Sequence, residues 1–78
     1  MRPYYFLASN AWSGTTEHRT LADAMGEFRR FNTELLRFGN VPIDALVYVA
    51  PSRADMGDYP EYSLAIGPRG GVRCEKCY

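Results

Sequence analysis

Two runs of apolar residues predict strands in this chain that lack polar alternation. Residues 4–8 combine aromatic and aliphatic side chains, and residues 43–50 are apolar at nearly every position. Such runs are typical of strands whose side chains are buried on both faces of a sheet. The first run ends at a Ser-Asn turn pair, and the second ends at Pro51.

Apolar residues at helical spacing predict one amphipathic helix over residues 21–38. Thr20 is the expected N-cap, with Asp23 in an acidic variant of the capping box, and Gly39 is the expected left-handed residue after the helix. Asn32 lies within the apolar stripe and therefore needs a hydrogen-bonding partner or a place at its edge. The stripe consists of Leu21, Ala24, Met25, Phe28, Phe31, Leu35 and Leu36.

Alternating side chains near the C-terminal end predict a hairpin of residues 62–66 and 72–75 around a glycine-rich turn. Its covered side chains are Tyr62, Leu64, Ile66, Val72 and Cys74. The predicted order is β-α-β-β-β over a single domain, residues 1–78. This order indicates an α+β fold with a small, mainly antiparallel sheet of three or four strands and one helix across one face. If the helix is a crossover connection, the first two strands run parallel, and the polar loops 9–19 and 51–61 leave the same sheet edge.

One helix covers only one face of the predicted sheet. By alternation, Tyr5 and Leu7 are grouped with Leu46 and Tyr48, opposite a second set formed by Tyr4, Phe6, Val47 and Val49. Strand register decides which set faces the helix, and the sequence leaves it open. Exposed apolar patches usually mark interaction sites. We therefore expect a partner-binding surface, unless the loops and Trp12 fold back over it; its predicted residues are Tyr5, Leu7, Trp12, Leu46 and Tyr48.

The amino-acid composition restricts the kinds of partner that such a surface is expected to bind. The 78 residues are 46% hydrophobic and 14% aromatic, and nine basic residues balance nine acidic ones. Zero net charge argues against general nucleic-acid binding and leaves little repulsion between copies, so a protein partner and a homodimer are expected. The alternative is a nucleic-acid-binding module that uses Arg69, Arg73 and Lys76, with bases stacked on the aromatic sheet.

Membrane and export signals are not expected from this sequence. No apolar run approaches the roughly 20 residues that span a bilayer, and the short run after Met1-Arg2-Pro3 does not match a signal peptide. The expected location is a reducing cytoplasm, where two cysteines do not form a disulfide framework.

Motifs that would indicate a metal site or a catalytic site are weak in this sequence. Cys74 and Cys77 form a lone CxxC pair, which makes them weak candidates for metal ligands, so neither a metal nor a cofactor is expected. Ser13 and His18 could be combined with Asp55 or Asp58 into a hydrolytic triad, yet no Gly-x-Ser-x-Gly motif supports it. A small enzyme using His18 is the third hypothesis, and the expectation is that the chain is not an enzyme.

Residues 4–14 (YYFLASNAWSG) and 67–73 (GPRGGVR) resemble segments of small accessory proteins encoded by bacteriophages of high-GC hosts, especially actinobacteria. The resemblance implies a compact non-enzymatic binder that acts in the cytoplasm of a bacterial host. It also implies an inhibitor that disables a host or defence protein. It identifies no functional residue.

Overall fold

The computed structural model describes residues 2–10, 12 and 14–77. In chain order, its elements are β1 (Tyr4–Ala8), β2 (Thr15–His18), α1 (Leu21–Arg37), β3 (Ala45–Ala50), a 3₁₀ turn (Arg53–Asp55), β4 (Tyr62–Ile66) and β5 (Val72–Lys76). The strands form one antiparallel sheet in the order β2-β1-β3-β4-β5. The predicted α+β class is confirmed, with five strands in place of three or four. No helix among the described residues is long and apolar enough to cross a membrane.

The additional strand β2 changes the direction of the helix connection. The chain reverses direction after β1 and forms β2 beside it. Both β2 and β3 pair with β1 in antiparallel direction. The helix therefore joins β2 to β3, which run parallel to each other with β1 between them, as in a split β-α-β unit. The expectation that the first two predicted strands run parallel is wrong. As a result, the loops that follow β1 and β3 begin at opposite ends of the sheet.

Helix α1 begins and ends where its caps predict. The Thr20 hydroxyl accepts a hydrogen bond from the Asp23 backbone N–H at 3.0 Å. Gly39 has a φ of +78°, and the following residue, Asn40, donates its N–H to the Leu35 carbonyl at 2.8 Å. This left-handed turn satisfies carbonyls that the end of the helix leaves free. The N-cap and the glycine stop are confirmed, and the helix ends one residue earlier than predicted.

The main core lies between α1 and one face of the sheet. Phe28 and Ala24 from the helix pack against Leu7, Val47 and Leu64 from three neighbouring strands, and all five are almost completely buried. The hairpin residues predicted to be covered pack around this cluster, which confirms their face: Tyr62, Leu64, Ile66, Val72 and Cys74.

Asn32 joins the helix to the connection that leads into β3. It is only 1% exposed. Its side-chain amide donates to the Phe28 carbonyl at 3.1 Å, and its Oδ1 accepts from the Ile43 backbone N–H at 2.7 Å. The predicted need for a partner is confirmed, and the buried amide fixes where the chain enters the third strand.

Candidate functional site

Strand register decides which aromatic and aliphatic residues share a face of the sheet. Tyr5 pairs with Val49 and Leu7 with Val47, and these four residues lie on the helix side. On the other side, which we call the helix-free face, Phe6 is paired with Tyr48.

The predicted partner-binding set does not share one surface. Leu46 and Tyr48 lie on the helix-free face, whereas Leu7 is fully buried in the main core and Tyr5 packs against it. The grouping is wrong because β1 and β3 pair odd positions with odd and even with even.

Trp12 also lies away from Leu46 and Tyr48. Its ring meets Phe31 of the helix edge-on, with 4.8 Å between centroids, and it packs against the main core. Its indole nitrogen is buried, and no hydrogen-bond acceptor for it occurs among the described residues. Trp12 therefore extends the core on the helix side and does not cover the helix-free face.

One half of the helix-free face is closed by the segment after β3. Phe6 lies on this face and is nevertheless completely buried. The Arg53 guanidinium carbon lies 5.3 Å from the Phe6 ring centroid, and the same side chain donates a hydrogen bond to Thr15 of β2. Tyr4 lies beside Phe6, with Arg19 stacked 4.3 Å over its ring. The alternative, in which the loops fold back over the sheet, agrees with the position of Arg53 in this half.

The other half of the helix-free face contains a groove with a volume of about 450 Å³. Leu46, 38% exposed, pairs with Ala8 on one side and Ser63 on the other. Because these neighbours are small, the surface is concave around Leu46, with Tyr48 and Ala65 also lining it. We call this concavity the β3 groove. Its volume lies within the range of small ligand pockets, about 300–1,000 Å³, although it is open to solvent.

Asp44 supplies the only charged side chain among the described residues that line the β3 groove. Its backbone carbonyl accepts a hydrogen bond from the Ser9 hydroxyl at 2.9 Å, which fixes this end of the groove. None of the ion pairs in the described part of the chain involves the Asp44 carboxylate. The groove thus combines the apolar surface around Leu46 with one negative charge and with polar groups from Ser9, Asn10 and Ser63.

The basic residues proposed for nucleic-acid binding do not form one surface. Arg73 lies on the exposed side of β5, and its guanidinium is paired with Glu75 at 3.0 Å. Lys76 is two positions from Cys74 on the same strand and so belongs to the opposite face, whereas Arg69 is in the turn that precedes the strand. Arg69, Arg73 and Lys76 therefore present separate charges, one of them neutralised.

The CxxC cysteines differ in exposure. Cys74 is half-buried on the helix side of β5, and Cys77 is exposed. Burial, and to a smaller degree the neighbouring Cys77, raises the pKa of the Cys74 thiol. In the described part of the chain, no three His, Cys, Asp or Glu side chains are grouped closely enough to hold a metal ion.

His18 contacts the helix and not the acidic loop. Its Nε2 lies 3.1 Å from both Thr16 Oγ1 and Glu27 Oε2. Asp55 instead accepts a hydrogen bond from Ser52 at 2.8 Å. Ser13, the proposed nucleophile, lies outside the described residues. The contacts of His18 and Asp55 therefore do not assemble the triad, and they place His18 as a link between β2 and α1.

Comparison of the chain with protein-family models, curated proteins and solved structures found no match. Sequence reasoning identified Leu46 and Tyr48 but not Asp44, Ala8, Ser63 or Ala65. The missing signal was strand pairing, because small residues form a groove only when register places them beside a large one.

Proposed function

We propose that this chain is a non-enzymatic protein-binding module whose binding surface is the β3 groove. The observation that supports it most is that Leu46 and Tyr48 lie on the half of the helix-free face that Arg53 does not cover. Concave sites with apolar walls and a few polar groups are the usual places where a partner's side chains are bound.

The residues that line the groove define the chemistry of its partner. Leu46 and Tyr48 suit an aliphatic or aromatic side chain, while the carboxylate of Asp44, which forms no ion pair with another described residue, favours a neighbouring Lys or Arg. We therefore propose that the partner presents a short segment in which an apolar residue lies next to a basic one.

Selection from a randomised peptide library tests this chemistry without knowledge of the natural partner. We expect enrichment of peptides that combine an apolar and a basic residue, with binding measured by fluorescence anisotropy. Leu46→Lys and Tyr48→Ala should each weaken binding about tenfold or more, since central anchor residues dominate such contacts. Asp44→Asn should have a smaller effect, limited to peptides that carry the basic residue.

Tyr59→Ala is the matched control, because Tyr59 is 85% exposed and does not line the groove. Its affinity for the selected peptides should equal that of the wild-type protein. Failure to enrich any peptide, or equal binding by the Leu46→Lys protein, would contradict the proposal.

The resemblance to bacteriophage accessory proteins supplies the role that we propose for this binding. By occupying a surface segment of a host or defence protein in the bacterial cytoplasm, a domain of this size would block that surface from its normal partner. A peptide selected on the β3 groove should then compete with the captured host protein, and the Leu46→Lys variant should capture none of it.

A further inference from the structure

Exposed apolar side chains are concentrated in one segment of the described chain. Five large hydrophobic side chains among the described residues are exposed, and four of them lie within residues 36–46. These four are Leu36 (51% exposed), Phe38 (73%), Val41 (81%) and Leu46 (38%). Single exposed apolar residues are ordinary, but a concentration of this kind marks an interaction surface.

Residues 36–41, which we call the ridge, are held in place by hydrogen bonds. The Asn40 N–H donates to Leu35, and a few residues later the Ile43 N–H donates to the buried Asn32 side chain. The next residue, Asp44, begins the β3 groove and is fixed through its carbonyl by Ser9. A short connection, held by hydrogen bonds at Ile43 and Asp44, therefore joins the ridge to the groove.

We propose that a second copy of the chain also binds this surface, with the ridge of each copy placed in the β3 groove of the other, so that a second copy and a host segment exclude each other from the groove. This inference rests on the proposed function, because it uses the same groove. Because each copy has both a ridge and a groove, a two-fold axis that forms both contacts would close the assembly as a dimer.

The ridge carries the chemistry that the groove favours. Phe38 is an exposed apolar side chain, and the residue before it, Arg37, is basic. Arg37 pairs with Glu34 at 3.5 Å in its own helix, with both side chains more than half exposed. Exposed ion pairs of this kind contribute little to stability. Arg37 can therefore exchange Glu34 for the Asp44 carboxylate of the other copy at little cost in free energy. Zero net charge leaves no overall repulsion between the copies.

A stable dimer must bury enough surface area that both the ridge and the groove have to take part in the interface. A standard interface buries about 800 Å² on each partner. That is about one-seventh of the 5390 Å² surface of this chain. The proposed interface therefore includes the ridge, the groove and the connection between them.

Sedimentation velocity over a range of protein concentrations tests the dimer. The wild-type protein should change from monomer to dimer as concentration rises. Phe38→Glu should weaken this association about tenfold or more, because it places a carboxylate opposite Asp44. Val41→Glu is a second ridge variant that does not alter the helix end, and Tyr59→Glu is the control that should leave association unchanged.

Mixing two defective variants distinguishes this geometry from other modes of self-association. Phe38→Glu and Leu46→Lys should each be monomeric alone at concentrations where the wild type is dimeric. Mixed, they should form a dimer, since one contact is then native and the other pairs the new carboxylate with the new ammonium group. Circular dichroism of each variant should show native secondary structure.

Restored association in the mixture supports the proposal. Two results overturn it: a wild-type protein that stays monomeric at every concentration, or folded variants that fail to associate when mixed. If the wild type is monomeric but selected peptides bind the β3 groove, only the second-copy inference fails. If peptides do not bind either, the proposed function fails as well.

Discussion

The two faces of the sheet are closed by very different means. On the helix side, Leu7, Val47 and Leu64 are covered by a helix whose Phe28 is itself completely buried. On the helix-free side, Phe6 is completely buried, and Arg53 from the segment after β3 lies 5.3 Å over its ring. The difference shows that in a domain this small one helix closes one face, and a loop closes only part of the other. The uncovered remainder, the β3 groove, is where we place function.

Truncation of one apolar residue on each side of the sheet gives the largest contrast. Phe28→Ala should lower the free energy of unfolding by about 3–5 kcal/mol, since it removes a buried ring and leaves a cavity in the main core. Leu46→Ala should lower it by less than about 1 kcal/mol, because much of this side chain is already in contact with water. Urea unfolding followed by circular dichroism measures both. Equal losses would mean that the groove is part of the folding core.

Removal of the buried amide tests how the helix side is joined to the ridge. Asn32→Ala should cost about 2–3 kcal/mol, because the Ile43 N–H loses its acceptor in a buried position. Thr33→Ala is the matched control, since the Thr33 hydroxyl donates to the Arg29 carbonyl on the exposed side of the same helix. Thr33→Ala should change the free energy of unfolding by no more than about 0.5 kcal/mol. A similar cost for both substitutions would show that Asn32 does not anchor the connection between the ridge and β3.

Substitution of Arg53 should expose the half of the helix-free face on which Phe6 lies. Arg53→Ala should cost about 1 kcal/mol, from loss of the contact over Phe6 and of the hydrogen bond to Thr15. It should also increase fluorescence of a hydrophobic dye, because the groove then extends to the Phe6 ring. Arg69→Ala, in an exposed turn, should change neither quantity. Unchanged dye binding in the Arg53 variant would mean that other residues bury Phe6.

The smallest expected effect is on the reactivity of the two cysteines. At pH 8, iodoacetamide should modify Cys77 several-fold faster than Cys74, because the thiolate is the reactive form and burial raises the pKa of the Cys74 thiol. As the pH rises toward that pKa, the rate at Cys74 should increase. Peptide mass spectrometry at timed intervals measures both sites. Faster modification of Cys74 would contradict its position against the core.

Local signals in the sequence were sufficient for the helix and the hairpin. Thr20 and Gly39 determine where the helix begins and ends through short-range hydrogen bonds, and the stripe around Phe28 identifies its buried side. The alternation of residues 62–66 likewise predicted which side of the hairpin is covered. Each of these features depends on residues close together in the chain.

Long-range features were not predicted. Strand β2 has the sequence Thr-Thr-Glu-His, which lacks an apolar pattern because the strand is short and lies at the sheet edge. Without it, a crossover connection would make β1 and β3 parallel, whereas they pair in antiparallel direction. The register of that pair, which the sequence leaves open, divides the predicted partner-binding residues between two faces. The cover of Phe6 by Arg53 depends on a contact 47 positions apart in the chain, which no local pattern encodes.

Backbone NMR of the labelled protein, titrated with a peptide selected for binding, tests the central claim most directly. The account predicts shift changes concentrated at Ala8, Leu46, Tyr48 and Ser63 of the β3 groove. A second hollow of about 390 Å³ on the outer side of the helix, lined by Arg29, Arg30, Thr33 and Glu34, provides the alternative location. Shifts concentrated there, with the groove residues unchanged, would contradict the claim that the open half of the helix-free face is the binding surface.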